Sequence, residues 1–551
     1  MGGGGEEIDL SSTTPVSRGK ILFMSVSRWL LIFGVTAYVI LFVFNSLTRT
    51  GYFSNDSMNY VDVARNISAG RGIVQSTLGF NQPYLFDEAS PIPNPMTSQP
   101  PLYPILIALL SFFGIPHADS ALLISGLALG GVILMAYLLG RDLYNEATGW
   151  LAVGLLLLYY PLSNVARVAW TESFAIFLML ISFWLLARLY REQESRKAWI
   201  YALLAGFTTG LAFATRYSML PMFFVGGGFI LIAMRFKRKC MVPLSLFILA
   251  FSLPFLSVAA HNYFSLGRIM PPALPSQSDL VTNLRDLFHY LFGLYLAEGI
   301  DSIIQVMVIG ILFLVISVVW LTRGRVKSSL QVIFFQEGGF LIPFWILAYS
   351  SFLVYRRTVT NFDEINLRLV SPAGVAFMIL VAALIASLLS PRVTNWARYA
   401  ALPLSLIVCL QELQISMLTP PLKAEAESRL SERVKWIETR TTSNDLIIGD
   451  NTVDIPFYLQ RPAAVSFSPY PYTVHLTYKK LTAFIAEHCS DYDRFFLVLG
   501  KKQGTERGLK RQYGTFVKDL LLGNPERNPD VIKIEDLPET LIYQVTTCQE
   551  R

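Results

Sequence analysis

Charged residues are scarce in this chain, and their scarcity indicates its class. Aspartate, glutamate, lysine and arginine make up 15% of the 551 residues, whereas 53% are hydrophobic. Soluble globular proteins carry roughly 25% charged residues. The composition therefore argues against an ordinary soluble protein and predicts a polytopic α-helical membrane protein.

Cysteine and histidine are also rare. The four cysteines and five histidines form none of the spaced pairs that bind zinc. Cys489 and Cys548 lie in the same C-terminal region, where a disulfide between them and two unpaired thiols are both compatible with the sequence. The chain has no fixed-period repeat, and its glycine-rich segment 500–508 lacks the spacing of a phosphate-binding loop. These absences argue against a structural zinc site, a repeat protein and a nucleotide site.

Long apolar runs, in contrast, are abundant. About eleven of them are predicted to cross a bilayer as helices, near residues 29–47, 119–140, 148–165, 172–190, 199–215, 219–234, 242–260, 303–321, 338–355, 371–389 and 397–416. The first run has no small-residue cleavage site after it, so we expect an uncleaved anchor. Residues 1–28 are then a short cytoplasmic tail, and 29–416 form the transmembrane domain.

Basic residues indicate the direction of the spans. They cluster in loops 188–197, 235–239 and 323–327 and in the N-terminal tail. The positive-inside rule places these clusters in the cytoplasm, which explains the net charge of +6 without nucleic acid. The outer side then receives loops 48–118, 261–302 and 356–370, together with everything after residue 417. If segment 100–114, which begins with prolines, also crossed the membrane, the basic loops would fall on the wrong side. We therefore expect this segment to be an interfacial helix.

The last region, 417–551, alternates helical and strand patterns instead of long apolar runs. Leu430, Val434 and Ile437 lie on one face of a predicted helix. Further helices are predicted at 474–488 and 505–522, and strands at 446–448, 457–459, 494–499, 531–534 and 541–546. This order predicts a small extracytoplasmic α/β domain.

Several charged residues are predicted at the outer ends of the spans, where a buried charge is costly and suggests function. The acids are Asp56, after the first span, and Glu172, between two spans; the basic residues are Arg216, His261, Arg268 and Arg368. A carboxylate can take the proton from an attacking hydroxyl or amine, and arginine binds phosphate through a planar fork of donors. Asn55 and Ser57 are uncharged, so we expect no adjacent cation to lower the basicity of Asp56.

Each of these residues also has a structural interpretation. Arg216 and Arg368 are compatible with snorkelling anchors at helix ends. Glu172 is compatible with a helix N-terminus that favours negative charge. Asp62 and Arg65 are expected to be solvated or locally paired.

Taken in order, dispersed pieces of the membrane region resemble the C-type, polyprenyl-phosphate-dependent glycosyltransferases, which include protein O-mannosyltransferases and lipid A aminoarabinose transferases. The pieces are Asn55-Asp56-Ser57-Met58-Asn59-Tyr60, Ala64-Arg65-Asn66, Gly70-x-Gly72, Gln99-Pro100-Pro101-Leu102-Tyr103-Pro104, Thr171-Glu172, Gly210-Leu211-Ala212, Thr215-Arg216 and Leu367-Arg368 with Pro372. The resemblance implies a GT-C-like bundle that transfers a sugar, with inversion, from a polyprenyl-phosphate carrier to an extracytoplasmic lipid, glycan or protein. The expected location is the plasma or inner membrane, with the active site outside.

The resemblance also implies roles for particular residues. Asp56 would face the acceptor and Glu172 would be a second acid. The carrier phosphate would be held by Arg216 and Arg368, with His261 or Arg268. Tyr60, Gln99 and Tyr103 would position the acceptor or the loop. Gln99 departs from the pattern, because several relatives have lysine or histidine there, and this puts that phosphate contact in doubt.

Two other functions remain open at this level. A transporter or flippase of a phosphate-bearing lipid or glycan would also use outer arginines, although no internal repeat supports it. A catalytically inactive scaffold is the third candidate. The carboxylate pair could also hold a divalent cation, so a metal requirement stays open.

Overall fold

The computed structural model describes residues 18–78, 93–193, 195–271, 275–276, 278–292, 338–360, 363–388, 393–419, 432–450, 454–467, 478–500, 530–538 and 540–546. The predicted span at 303–321 and the predicted helix at 505–522 lie outside these residues. Within them the chain is mostly helical, with a sheet built largely from its C-terminal part.

The membrane region is a bundle of apolar helices. In chain order its helices are α1 Arg18–Asn45, α2 Asn55–Ser68, α3 Leu102–Ser111, α4 His117–Leu143, α5 Glu146–Leu158, α6 Tyr160–Arg167, α7 Thr171–Arg191, α8 Lys197–Thr215, α9 Pro221–Ala233, α10 Met241–Leu266, α11 Leu280–Phe292, α12 Leu341–Val359, α13 Leu367–Leu388 and α14 Val393–Leu418. Seven helical segments of the described chain are long and apolar enough to cross a bilayer. The protein is therefore an integral membrane protein, and the count of eleven spans stays a prediction.

One predicted span is not a continuous helix. The run 148–165 forms α5 and α6, which are separated at Tyr159, where ψ is 88°. Pro161 explains the break because its ring fits the first turn of a helix but not the interior of one. Ala169 then takes a φ of 53°, a left-handed conformation that a residue with a Cβ rarely adopts. These two irregularities turn the chain so that Glu172 lies in the first turn of α7, at the end of the bundle that is predicted to face outward.

The first outer loop packs on this end. Ser54 caps α2, and its hydroxyl accepts from the Ser57 backbone N–H at 3.4 Å. Tyr60 of α2 contacts Tyr103 of α3 edge to face, with ring centroids 5.4 Å apart. The predicted helix in segment 100–114 is α3.

The C-terminal region, which we call the outer domain after its predicted side, is built on a six-stranded sheet. The first outer loop contains three short strands, β1 Val74–Gln75, β2 Thr77–Leu78 and β3 Asn94–Pro95, of which β2 joins this sheet. The other described strands and helices of the domain are β4 Asp445–Asp450, β5 Ala463–Phe467, β6 Arg494–Gly500, β7 Val531–Asp536, β8 Thr540–Val545, α15 Glu432–Arg440, α16 Asp454–Leu459 and α17 Tyr478–His488. The sheet order is β2-β5-β4-β6-β8-β7, with parallel pairing up to β6 and antiparallel pairing beyond it. Helix α17 packs on one face of the sheet, and α15 and α16 pack on the other. The predicted α/β fold of this region is confirmed.

Besides strand β5, Ala463–Phe467, which the sequence analysis did not predict, two features of the outer domain differ from the prediction. The predicted strand 457–459 is wrong, because these residues end helix α16. Asp454 and Pro456 in its first turn favour a helix start over a strand. The second feature is β2, Thr77–Leu78, an edge strand that the first outer loop contributes beside Ala463. The loop 48–118 and the outer domain therefore share one sheet.

The cysteines are divided between free and bonded thiols. Cys240 and Cys409 are buried and free, whereas Cys489 is disulfide-bonded. Cys548 lies outside the described residues.

Candidate active site

Asp56 lies in the first turn of α2, and the start of this helix is bonded to the turn that precedes α7. The hydroxyl of Ser54, which caps α2, accepts a hydrogen bond from Trp170 Nε1 at 2.6 Å. This bond holds the start of α2 against the turn that precedes α7. The Asp56 side chain is 17% exposed, so its carboxylate remains accessible from outside.

Glu172 is sealed inside the same region. Its side chain is 1% exposed, and its Oε1 accepts from Arg216 Nη1 at 2.6 Å and from Arg368 Nε. Arg216 Nη1 also donates to Thr171 Oγ1 at 3.1 Å. Glu172 thus holds two arginines that lie 152 residues apart in sequence, at positions 216 and 368.

Arg368 joins the two acids. Its Nη1 lies 2.5 Å from Asp56 Oδ2, and its guanidinium lies over the Trp170 ring, 4.5 Å from the centroid. The expectation that Asp56 has no cation beside it was wrong. The neighbouring residues in sequence are uncharged, but the cation comes from α13. We call Asp56, Glu172, Arg216 and Arg368 the charged cluster; its formal charges cancel.

Exposure divides the charged cluster into two parts. The Arg216 and Arg368 side chains are 12% and 14% exposed, similar to Asp56, whereas Glu172 is closed to solvent. The side chains of Arg216, Arg368 and Asp56 therefore each keep a small solvent-exposed area, whereas Glu172 keeps almost none. This geometry makes Glu172 an internal anchor for the arginines.

The other predicted residues divide between the charged cluster and the fold. Gln99 reaches the charged cluster, where its Nε2 donates to Asp56 Oδ1 at 3.1 Å. Tyr60 is buried one turn beyond Asp56, and burial raises the pKa of its hydroxyl. Tyr103 is fully buried, and its hydroxyl donates to the Ala121 carbonyl at 2.8 Å.

The two basic residues at the end of α10 lie apart from the acids. His261 Nε2 is 2.8 Å from the Met96 carbonyl oxygen. Arg268 is exposed and makes no hydrogen bond or ion pair with the part of the chain that the structure describes. The structure therefore brings Asp56, Glu172, Arg216, Arg368 and Gln99 together, and it leaves His261 and Arg268 outside the charged cluster.

The charged cluster does not fit a divalent cation. The Arg368 guanidinium lies between the two carboxylates, where a cation would have to bind. Among the described residues, no group of three or more histidine, cysteine, aspartate or glutamate side chains could hold a metal ion.

The sequence analysis did not identify two residues that form contacts in this region. Trp170 stacks on Arg368, and its place beside Glu172 was the available signal. Glu412 of α14 pairs with Arg167 and accepts from Asn45 Nδ2 at 2.7 Å. A glutamate inside an apolar span is itself a signal for a buried pair.

The fold and the charged cluster together define a class: a helical membrane bundle that has an acid and two arginines at the end where the C-terminal sheet domain lies. A protein-family model described as "Dolichyl-phosphate-mannose-protein mannosyltransferase" matches residues 98–258. The matched segment contains Gln99, Glu172 and Arg216, whereas Asp56 and Arg368 lie beyond its ends. No curated protein matches the chain.

Solved structures show the same fold over nearly the whole chain. ArnT from Cupriavidus metallidurans in the apo state has a TM-score of 0.58 at 12% identity, covering 95% of this chain and 99% of that one. The same protein bound to undecaprenyl phosphate has a TM-score of 0.54 at 11% identity, covering 95% and 97%. Archaeal oligosaccharyltransferase AglB from Archaeoglobus fulgidus, in complex with an inhibitory peptide and a dolichol-phosphate, has a TM-score of 0.51 at 11% identity, covering 90% and 72%.

These comparisons confirm the predicted resemblance to polyprenyl-phosphate-dependent membrane glycosyltransferases. They also confirm the predicted fold class, a helical membrane bundle with a small C-terminal sheet domain. The partial family match and the shared fold both agree with the predicted enzyme class, a glycosyltransferase. Nothing in them supports the transporter or flippase alternative.

Proposed function

We propose that this protein transfers a sugar from a polyprenyl-phosphate carrier to an acceptor on the extracytoplasmic side, with inversion at the anomeric carbon. The observation that carries the proposal is the charged cluster, in which one accessible acid and two accessible arginines meet at the outer end of the bundle. Two of the similar structures contain undecaprenyl phosphate and dolichol-phosphate, which supports a carrier of that class.

The arginines suit the leaving group. As the bond between the anomeric carbon and the phosphate oxygen breaks, negative charge grows on the carrier phosphate. Arg216 and Arg368 can stabilise that charge through charge-assisted hydrogen bonds. Their guanidinium groups are already oriented, because both are held on Glu172.

Asp56 suits the acceptor. An acceptor hydroxyl or amine attacks the anomeric carbon from the face opposite the phosphate, and its proton passes to the Asp56 carboxylate. The new glycosidic bond forms as the phosphate bond breaks, so the configuration inverts. General-base assistance of this kind typically contributes about 10²–10⁴-fold.

The pairing of Asp56 with Arg368 adds a link between donor and base. Arg368 Nη1 lies 2.5 Å from Asp56 Oδ2, so this oxygen is occupied by the ion pair and is not free to accept a proton. A carrier phosphate that attracts the Arg368 guanidinium would loosen this pair and free Oδ2. The carboxylate would then be available to the acceptor when the donor is bound.

The test is turnover with defined donors. Purified protein in nanodiscs is incubated with a panel of undecaprenyl-phosphate-linked hexoses and aminopentoses and with an extract of cell-envelope acceptors. We expect release of undecaprenyl phosphate with at least one donor. Arg167, which pairs with Glu412 outside the charged cluster, provides the control: Arg167→Gln should retain turnover per folded molecule, whereas Arg216→Gln should reduce it by tens-fold or more. Absence of release with every donor and extract would contradict the proposal.

A further inference from the structure

The first outer loop contains buried polar atoms that have no hydrogen-bond partner in the part of the chain that the structure describes. Asn59 of α2, Gln75 of β1 (Val74–Gln75) and Thr77 of β2 are all 0% exposed. Asn59 Nδ2 donates to Gln75 Oε1 at 3.3 Å. Asn59 Oδ1, Gln75 Nε2 and Thr77 Oγ1, however, find no hydrogen-bond partner among the described residues. Unpaired buried polar groups are costly and rare in folded proteins, so a group of them calls for a ligand.

These groups adjoin the proposed base. Asn59 follows Asp56 by three residues on α2, and side chains at this spacing are neighbours on one helix face. Gln99 contacts the Asp56 carboxylate directly through its 3.1 Å hydrogen bond, and its own Oε1 also has no hydrogen-bond partner among the described residues. We call Asn59, Gln75, Thr77 and Gln99 the amide row. Within it, Asn59 is bonded to Gln75, and Gln99 is bonded to Asp56.

The amide row is held in place by neighbouring contacts. Asn66 Nδ2 donates to the Val74 carbonyl at 2.9 Å and to Ser76 Oγ at 3.1 Å. Asp62 Oδ2 accepts from the Ser76 backbone N–H at 2.6 Å. These bonds fix the strand segment 74–77 against α2, so the free amide ends are oriented before any ligand arrives. Preorganisation of this kind is typical of a binding site.

Gln99 is the most exposed member of the amide row. Its side chain is half-buried and its Nε2 donates to Asp56, whereas Asn59, Gln75 and Thr77 are closed to solvent. A ligand can therefore reach these three side chains only if a neighbouring group moves. Movement of a neutral amide such as Gln99 costs less than movement of a buried charge.

We propose that the amide row is a subsite for the hydroxyl groups of an uncharged sugar ring, next to Asp56. This inference rests on the proposed function. The four side chains carry no charge, so a phosphate or carboxylate gains little from them. A hydroxyl both donates and accepts, and it therefore satisfies either end of an amide as well as the Thr77 hydroxyl. The ring can belong to the lipid-linked donor or to a glycan acceptor.

The test removes the amides without leaving new unpaired partners. A double variant, Asn59→Leu with Gln75→Met, replaces both members of the mutual hydrogen bond by apolar side chains of similar size. The matched control is Asn283→Leu of α11. Asn283 is 1% exposed, but its Nδ2 donates to Thr358 Oγ1 at 3.0 Å and its Oδ1 accepts from Ser278 Oγ at 2.7 Å.

The two variants should differ in their melting temperatures. Asn283→Leu breaks satisfied bonds and should lower the melting temperature. The double variant removes unsatisfied groups, so its melting temperature should stay level or rise. Sugar binding should distinguish the two variants in the other direction. The double variant loses two neutral hydrogen bonds to the sugar and should bind it roughly tenfold more weakly. Asn283→Leu should bind the sugar as tightly as wild type.

Binding is measured in three arms. Undecaprenyl phosphate without a sugar tests the proposed phosphate site alone and should bind wild type and double variant equally. Undecaprenyl-phosphate-linked sugars form the donor arm, and a panel of methyl glycosides forms the acceptor arm. If the double variant binds the sugars of one arm more weakly than wild type does, the subsite is supported. The arm affected then shows whether the ring belongs to the donor or to the acceptor.

Two results would overturn the inference. One is a double variant that binds both sugar panels as tightly as wild type. The other is a wild-type protein that gains no affinity from any sugar in either arm, which would mean that water alone occupies the amide row. Failure of wild type to bind bare undecaprenyl phosphate would instead contradict the proposed function.

Discussion

Glu172→Gln is expected to damage the stability of the protein more than any other single change in the charged cluster. Glu172 Oε1 accepts from both Arg216 and Arg368, and its side chain is 1% exposed. The amide would leave two guanidinium groups close together with Asp56 as the remaining carboxylate. Removing one partner of a buried ion pair typically costs about 3–5 kcal/mol. We expect a loss of that size, because arginines that are 12% and 14% exposed gain little from solvent.

Asp56→Asn should behave in the opposite way. Asp56 is 17% exposed, and an asparagine oxygen can still accept from Arg368. The stability cost should therefore be about 1 kcal/mol, whereas transfer per folded molecule should fall by about 10²–10⁴-fold because the amide cannot take the proton. Glu172→Gln, measured per folded molecule, should lose less transfer than Asp56→Asn.

The assay combines thermal melting of the purified variants with transfer per folded molecule. Glu412→Gln is the matched control, because Glu412 is a buried acid paired with Arg167 outside the charged cluster. It should lower the melting temperature and retain transfer per folded molecule. A Glu172→Gln protein with the same melting temperature as wild type would refute the view that Glu172 anchors the arginines.

Three further outcomes are expected. In intact cells an impermeant maleimide should label Ser443→Cys and spare Lys237→Cys, both at exposed positions; the reverse pattern would overturn the predicted sidedness. Burial raises the pKa of Asp62, so its contribution to stability is greatest below about pH 4 and declines as pH rises through the folded-state pKa. Asp62→Asn should keep the bond to the Ser76 N–H, raise the melting temperature at pH 8 and flatten its pH dependence; an unchanged slope would count against this reasoning. Chelator treatment should leave transfer unchanged, since Arg368 fills the space between the two acids, and a loss restored by Mg²⁺ would contradict this.

The sequence predicted the members of the charged cluster better than their contacts. Charge at the end of an apolar span is a strong signal, and it identified Asp56, Glu172, Arg216 and Arg368. The pairing of Asp56 with Arg368 joins residues 312 positions apart, from 56 to 368, and no local pattern encodes such a contact. Of the amide row, only Gln99 was predicted; Asn59, Gln75 and Thr77 were missed because uncharged polar side chains give no signal until their burial is known.

For the fold as well, long sequence patterns were predictive and short segments were not. Long apolar runs predicted the bundle, and alternating patterns predicted most strands of the outer domain. β2 was missed because its two residues are too few to form a pattern. The break at Tyr159 was readable from Pro161, whereas helix α16 was mistaken for a strand because three apolar residues fit either structure.

The most direct test of the account compares carrier binding with catalysis in two variants. The affinity for undecaprenyl phosphate and the rate of sugar transfer are measured for wild type, Asp56→Asn and Arg216→Gln. If arginine holds the phosphate and Asp56 takes the proton, Asp56→Asn should bind the carrier lipid at least as tightly as wild type and lose transfer, whereas Arg216→Gln should bind it roughly ten- to a hundredfold more weakly. Normal transfer by Asp56→Asn, or unchanged carrier binding by Arg216→Gln, would contradict the account.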